Sequence, residues 1–214
     1  MAKMGSMDIS EFIKLRDNIN KMSNPKELDK FMRECVAEIA METLRRTIRL
    51  TPVGTKPKFK GTRAVEVTIR GRDNTRRKRK FLNARAARFE EIWKGYVGGT
   101  LRRGWTAKNQ AEAESGKGDG VEKIEQTAKA LRISKSGDTY IAWVINPVEY
   151  ASYVEYGHRQ TPGRYVPALG LKLKKSWVQG RHMLQISMQE VEARLSQFLD
   201  AKLQDYLNQI FEGD

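Results

Sequence analysis

The chain has 214 residues, with 40 Lys+Arg against 26 Asp+Glu for a formal net charge of +14, 39% hydrophobic and 31% charged side chains. That is long enough to bury a core, too apolar for a disordered basic tail and too polar for a membrane span, since the longest apolar run, Tyr140 to Ile145, falls far short of roughly 20 residues. Residues 1–10 lack a secretory apolar stretch, and one cysteine, Cys35, with two histidines excludes an internal disulfide framework and speaks against a zinc finger.

Phe12, Leu15 and Ile19 predict a helix over about 8–20, with Met4 and Met7 as alternative starts to Met1. Ser23-Asn24-Pro25 then breaks the pattern and opens a longer helix. Asn24 is placed to cap it, Pro25 suits the first helical position, and Glu27 completes a capping-box-like start. Leu28, Phe31, Met32, Cys35, Val36, Ile39, Leu44 and Ile48 keep a 3.6-residue period until Pro52 stops it, and Arg45, Arg46 and Arg49 favour the negative end of the helix dipole. Thr51 to Thr62, with two prolines and two glycines, reads as an extended arm.

The charge is concentrated in the next quarter. Residues 56–108 hold 17 basic and 4 acidic side chains, for +13, whereas residues 1–55 hold +2 and residues 109–214 hold −1. A local excess points to a surface that meets something anionic. Within it, Val65, Val67 and Ile69 alternate with polar residues as a half-buried strand. Asp73-Asn74-Thr75 offers caps for a helix whose apolar stripe is Leu82, Ala86, Phe89, Trp93 and Tyr96. The densest cations, Arg76, Arg77, Lys78, Arg79 and Lys80, would then oppose the dipole at that helix's start, by about 0.3–1 kcal/mol each. Local stability does not explain them. With Arg85 and Arg88 they form the candidate surface for an anionic partner or DNA, and a solvated face, an acidic protein neighbour and direct nucleic-acid contact all remain open.

Thr100 to Thr106, carrying Leu101 and Trp105, reads as a short strand-like piece, and residues 109–120 as a mobile glycine-containing loop. Leu131 and Ile133, the Ser136-Gly137-Asp138 turn and Tyr140 to Ile145 signal a hairpin, whose second strand is apolar on both faces like a covered central strand. From about Met183 to Phe211 runs a long amphipathic stripe, which one continuous helix or one broken near its middle would both satisfy. At ~1.5 Å per residue it spans roughly 40 Å, more than one compact domain needs, so part of it is expected to pack on another subunit. The elements add up to one α+β domain over 1–214. A small, mainly antiparallel sheet is packed by a long N-terminal and a long C-terminal helix, with a basic helical insertion at about 56–97.

Catalytic signals are absent from the pattern. His158 and His182 have no neighbouring nucleophile motif and no second ligand at metal spacing, and Cys35 sits on an apolar helical stripe. Ser115-Gly116-Lys117-Gly118-Asp119-Gly120 lacks phosphate-loop spacing. Neither an enzyme nor a cofactor or metal site is expected.

The most informative stretch is Tyr150-Ala151-Ser152-Tyr153-Val154-Glu155-Tyr156-Gly157. Tyr150, Tyr153 and Val154 at i, i+3 and i+4 predict one helical turn buried against the sheet, ended by Gly157 in the left-handed region. This stretch resembles the Tyr-Ala-x-Tyr-Val-Glu-Tyr/Phe-Gly element of the HK-ninety-seven gene-product-ten-like tail-component family of tailed phages. Thr51-Pro52-Val53-Gly54-Thr55 is similar to that family's Thr-Pro-Val-Asp-Thr-Gly, and Leu101-Arg102-Arg103-Gly104-Trp105 to its Leu-Arg-x-Ser/Gly-Trp. Tyr165-Val166 and the Trp177 to Leu184 segment resemble the closing part before the last helix. Here, unlike the usual pattern, Lys56 to Val97 separates the first two elements.

The resemblance implies a non-enzymatic structural virion protein. It would be a neck or tail-completion subunit in a homo-oligomeric ring, sixfold by family context, that joins the tail end to the head connector. Its implied partners are sister copies, connector or stopper proteins, and tail terminator or tube proteins, with assembly in the host cytoplasm. The role of the insertion does not transfer. A neighbouring subunit, a negatively charged ring and non-specific contact with packaged DNA are its candidate partners, and a basic nucleic-acid-binding protein is the alternative reading of the whole chain.

Overall fold

The computed structural model describes residues 25–212 except 71, 73, 74 and 119, together with Ser10, Ile13 and Arg16. The helix expected over about 8–20, and the cap expected from Asn24, otherwise lie outside the described residues. In chain order the elements are α1 (Pro25–Leu50), β1 (Ala64–Arg70), β2 (Arg76–Leu82), α2 (Ala84–Ile92), α3 (Thr100–Gly104), α4 (Gln110–Ser115), α5 (Ile124–Lys129), β3 (Ile133–Ser136), β4 (Thr139–Ala142), α6 (Ala151–Tyr156), β5 (Gly157–Arg159), β6 (Tyr165–Val166), β7 (Leu171–Lys172), β8 (Trp177–Gln179), α7 (Met183–Glu192) and α8 (Leu195–Glu212). The fold class is α+β. Among the described residues the strands form four separate antiparallel pairs, β1–β2, β3–β4, β5–β8 and β6–β7, in place of the one small sheet expected.

The chain divides into two compact units. One comprises residues 1–53, 99–156 and 180–214, the other residues 54–98 and 157–179. In the first, α1 supplies one wall of two apolar clusters. Its N-terminal half places Leu28, Phe31, Met32, Cys35 and Ile39 against Tyr140 of β4 and against Val191, Leu195 and Leu199. Its C-terminal half places Leu44 and Ile48 among Leu101, Trp105, Ile124, Val148, Ala151, Met183 and Leu184. Burial pushes the Cys35 thiol up to about 12, so it packs as a small apolar group.

Three threonines run along one line of α1 and its end. Thr43 Oγ1 donates to the Ile39 carbonyl (2.8 Å), Thr47 Oγ1 to that of Thr43 (2.7 Å) and Thr51 Oγ1 to that of Thr47 (2.6 Å). These i−4 bonds satisfy hydroxyls that burial would otherwise strand. Near the other end, Asp29 accepts from Arg33 Nε (2.7 Å), Tyr140 OH (2.7 Å) and Lys135 Nζ (3.3 Å). The Arg33 bond first, then the Tyr140 bond, holds this carboxyl down at about 2 and ties α1 to the β3–β4 hairpin.

Several expectations change. Leu101 to Trp105 is helical: Leu101 and Trp105, four apart, both enter the core, and Gly99 at φ +93° starts the turn. Within the stretch expected as a loop, Asn109 Oδ1 accepts from Glu112 N (2.9 Å) and caps α4. Among the described residues β4 pairs only with β3, and it is covered on one face. Tyr140 is buried, while Ile141, Trp143 and Ile145 are exposed. The terminal stripe is two helices, broken after Glu192.

The second unit has a small aromatic centre. Asn83 Oδ1 caps α2 by accepting from Arg85 N (2.9 Å). Ala86 and Phe89 are buried on one face of that helix, with Phe59 5.2 Å from Phe89 by ring centroids. Gly170, at φ +64°, brings its backbone so close that a Cβ there would sit 2.8 Å from the Phe59 ring. Trp93 Nε1 donates to the Ala168 carbonyl (2.5 Å), and Lys56 pairs with Glu90 (2.5 Å). Of the stripe read from the sequence, Ala86, Phe89 and Trp93 face this centre. Leu82 belongs to β2, and Tyr96 lies past the helix end and is exposed.

Candidate functional site

Of the residues that carry the resemblance, Thr51, Arg102, Trp105 and Glu155 make two contacts inside the first unit. The first joins Thr51 to α3. Trp105 Nε1 donates to Thr51 Oγ1 (2.8 Å), and Arg102 Nε donates to the Thr51 carbonyl (2.6 Å), which lies beyond the last full helical turn of α1. A C-terminal helix carbonyl has no intrahelical donor, so a guanidinium there supplies both a bond and a favourable charge. Pro52 is exposed and ends the helix; Leu101 is buried beside Trp105. Asn146 closes the same corner. Its Nδ2 donates to the Leu101 carbonyl (2.9 Å), and its Oδ1 accepts from Val148 N (3.2 Å). A Cβ on Gly104 would collide with Asn146 Oδ1 and come within 2.8 Å of Val148 Cγ2.

The second contact is made by Glu155, whose side chain is wholly buried. His182, before the first residue of α7, has φ +50° and provides no side-chain cap. Glu155 does so from a distance. Its Oε1 accepts from Leu184 N (3.1 Å) and Gln185 N (3.2 Å), and its Oε2 lies 3.2 Å from Leu184 N. The backbone reinforces the join, because Arg181 N donates to the Val154 carbonyl (2.8 Å) and His182 N to that of Glu155 (3.0 Å). Two amide donors that the helix cannot pair are thereby satisfied at its positive end. Gly157, at φ +86°, ends α6 in the conformation expected of it.

In α6 the buried residues are Ala151 and Glu155. Tyr150 and Tyr153, expected to face the sheet, are instead exposed, Tyr153 at 58% and Tyr150 at 44%, as is Tyr156. The correction follows from helix geometry. Ala151 and Glu155, four apart, occupy one face, and the tyrosines at i and i+3 lie on another.

Arg103, at the variable position of the Leu-Arg-x-Ser/Gly-Trp element, is also buried. Its Nε donates to the Ala113 carbonyl (2.8 Å), its Nη1 to that of Gly118 (3.2 Å) and its Nη2 to Thr100 Oγ1 (3.4 Å). The glycine-containing stretch that superficially suggested a phosphate loop thus presents carbonyls to a guanidinium. No sequence signal separates Arg103 from the half-buried Arg102 beside it; only its placement between two buried residues, Leu101 and Trp105, hints at it.

The basic run lies elsewhere, in the second unit, and forms β2 where a helix start was expected. Pairing as a strand separates successive cations onto opposite faces, whereas a helix would gather them at its positive end. The register is Ala64↔Leu82, Val65↔Phe81, Glu66↔Lys80, Val67↔Arg79, Thr68↔Lys78, Ile69↔Arg77 and Arg70↔Arg76. Every residue of both strands is exposed, so β1 is not half-buried. One face holds Val65, Val67, Ile69 and Phe81 with Arg77 and Arg79. The other holds Arg70, Arg76, Lys78 and Lys80 with Glu66, Thr68, Ala64 and Leu82. Among the described residues, no carboxylate lies within 4 Å of any cation from Arg76 to Lys80. Arg85, by contrast, stacks over the Tyr165 ring at 5.3 Å, and Arg88 is an exposed residue of α2.

Among the described residues no group of three or more His, Cys, Asp or Glu is arranged to hold a metal ion, and no helix is long and apolar enough to cross a membrane. No curated protein and no solved structure gives a significant match to the chain. A family's sequence model does: that of Bacteriophage HK97-gp10, a tail-component family, matches residues 13–157, more than half of the chain and all of Thr51, α3 and α6. The chain belongs to the HK97-gp10-like phage tail-component family and is a structural protein of the phage tail, located in the virion.

Proposed function

We propose that the chain is a neck or tail-completion subunit, non-enzymatic and without a cofactor, that assembles into a homo-oligomeric ring between the tail end and the head connector. The observation that carries this reading is the set of large apolar side chains left at the surface of the first unit: Ile141, Trp143, Ile145, Tyr150, Tyr153 and Tyr156. Tyr and Trp are the side chains that protein interfaces favour at their centres. The second unit has an uncovered apolar face of its own, on the β1–β2 ribbon. Closing a ring requires two unlike faces on each subunit, because a two-fold contact stops at a dimer. Sixfold closure is the stoichiometry that the family context favours. Connector or stopper proteins above and terminator or tube proteins below are the neighbours in this reading, with assembly in the host cytoplasm.

Deleting the gene tests the proposal. The expected result is filled heads and separate tails by electron microscopy of lysates, with joining restored by the gene in trans. Normally joined, infectious particles from the deletion would refute a neck role.

A further inference from the structure

We infer that the ribbon face bearing Arg70, Arg76, Lys78 and Lys80 is a binding surface for the phosphate backbone of duplex DNA, engaged without sequence preference. The inference goes beyond the neck reading and does not depend on it.

The two ribbon faces differ in kind. Arg77 and Arg79 share theirs with Val65, Val67, Ile69 and Phe81, a mixture of apolar side chains and arginine that suits a protein neighbour. The opposite face has four cations, one carboxylate (Glu66), one hydroxyl (Thr68), and apolar side chains only at its Ala64–Leu82 end. Protein interfaces are depleted in lysine at their centres and need an apolar core, which this face lacks. Interfaces with DNA are polar and strongly positive.

Stability of the ribbon does not account for the arrangement. Arg70 and Arg76 stand directly opposite each other, and like charges in that position destabilise a strand pair. A second copy of the same face would be repelled for the same reason. The geometry also suits an extended polyanion. Arg76, Lys78 and Lys80 repeat every two residues, roughly 7 Å along the strand. Duplex DNA offers one phosphate per ~3.4 Å of axis on each strand, so a regular row of cations meets a regular row of charges. A two-stranded ribbon is also narrow enough for the major groove, about 12 Å wide.

The test uses the full chain and a fluorescein-labelled 30-base-pair duplex, titrated by anisotropy between 50 and 200 mM NaCl. Four phosphate contacts predict a log–log salt slope of about −3.6, an affinity loss of roughly 150-fold over that range. The combined variant Arg76→Gln, Lys78→Gln, Lys80→Gln should flatten the slope by about 2.7, whereas Arg77→Gln with Arg79→Gln on the other face should change it by less than about 1. Two unrelated duplex sequences should bind within about threefold of each other. Thermal melting checks that the variants fold. If the triple variant does not, the three single variants, each expected to flatten the slope by about 0.9, decide the matter. No binding at 50 mM salt would overturn the inference. So would equal losses from the two faces, a strong sequence preference, or poly-glutamate binding as tightly as the duplex with the same dependence on Arg76, Lys78 and Lys80, which would assign the face to an acidic protein.

Discussion

Thr51, Trp105 and Glu155 on the one hand, and Arg76 to Lys80 on the other, are the two groups of residues that stand out in this sequence, and they do opposite physical work. The first three are buried, and their polar side-chain atoms are paired: Trp105 Nε1 on Thr51 Oγ1, and Glu155 on two amides of α7, while Arg102 Nε holds the Thr51 carbonyl. The cations of β2 are exposed along their whole length and make no ion pair with a described carboxylate. The motif shared with relatives therefore marks what closes the first unit onto itself. The exposed cations lie in the segment between Thr51 and α3, by which this chain departs from the pattern it resembles. Resemblance identifies the family, and the departure is where an individual role is to be sought.

Substitutions test that contrast, since the first group should control stability and the second should not. Glu155→Leu should cost the most, about 3 kcal/mol, because it leaves the buried amide of Leu184 and the part-buried amide of Gln185 without an acceptor. A shift in the urea midpoint corresponding to less than 1 kcal/mol would show the cap to be dispensable. Gly104→Ala should cost about 1–3 kcal/mol through overpacking against Asn146 and Val148, again read from the urea midpoint. Thr51→Val keeps the shape but strands the Trp105 indole N–H, for about 1–2 kcal/mol. Tryptophan fluorescence should report the change during unfolding.

Asp29 gives a smaller, pH-dependent effect. Its carboxyl titrates at about 2 in the folded chain against an ordinary value of 3.8, so its contribution is full above about pH 4 and is lost as pH falls toward 2. Asp29→Asn should lower stability by about 1 kcal/mol at pH 7 and make the loss between pH 4 and 2 shallower. Identical acid profiles for the two proteins would remove Asp29 from the account. Smallest of all, glutamine at Arg76, Lys78 and Lys80 should change stability by no more than about 0.5 kcal/mol, as expected for exposed side chains. A large loss there would mean that the cations hold the fold, and the contrast between the two groups would fail.

Long apolar periods were legible from the sequence. The stripe from Leu28 to Ile48 led to α1, Pro52 marked its end, and the terminal stripe led to α7 and α8. The β3–β4 hairpin was legible from Gly137, which takes φ +59° between the strands. Short elements were not, because tertiary contacts decide them. Leu101 to Trp105 has too few residues for a period to show, and it is helical because both apolar residues must reach one core. The basic run was misread since a cap signal and an apolar stripe outweighed the strand pairing available to Val65, Val67 and Ile69. Arg103 and Asn146 were invisible for another reason: their partners are carbonyls far along the chain, and a carbonyl carries no side-chain signature.

The second unit is assembled from two pieces of chain, residues 54–98 and 157–179. Phe89, whose neighbourhood includes Gly170, leaves the ribosome roughly 80 residues ahead of it, a delay of about 4–16 s at ordinary synthesis rates. For that interval the nascent polypeptide carries an aromatic centre with only half its enclosure. Any expression strategy that ends the gene before the later piece would make that interval permanent, trading a transient exposure for an aggregation hazard.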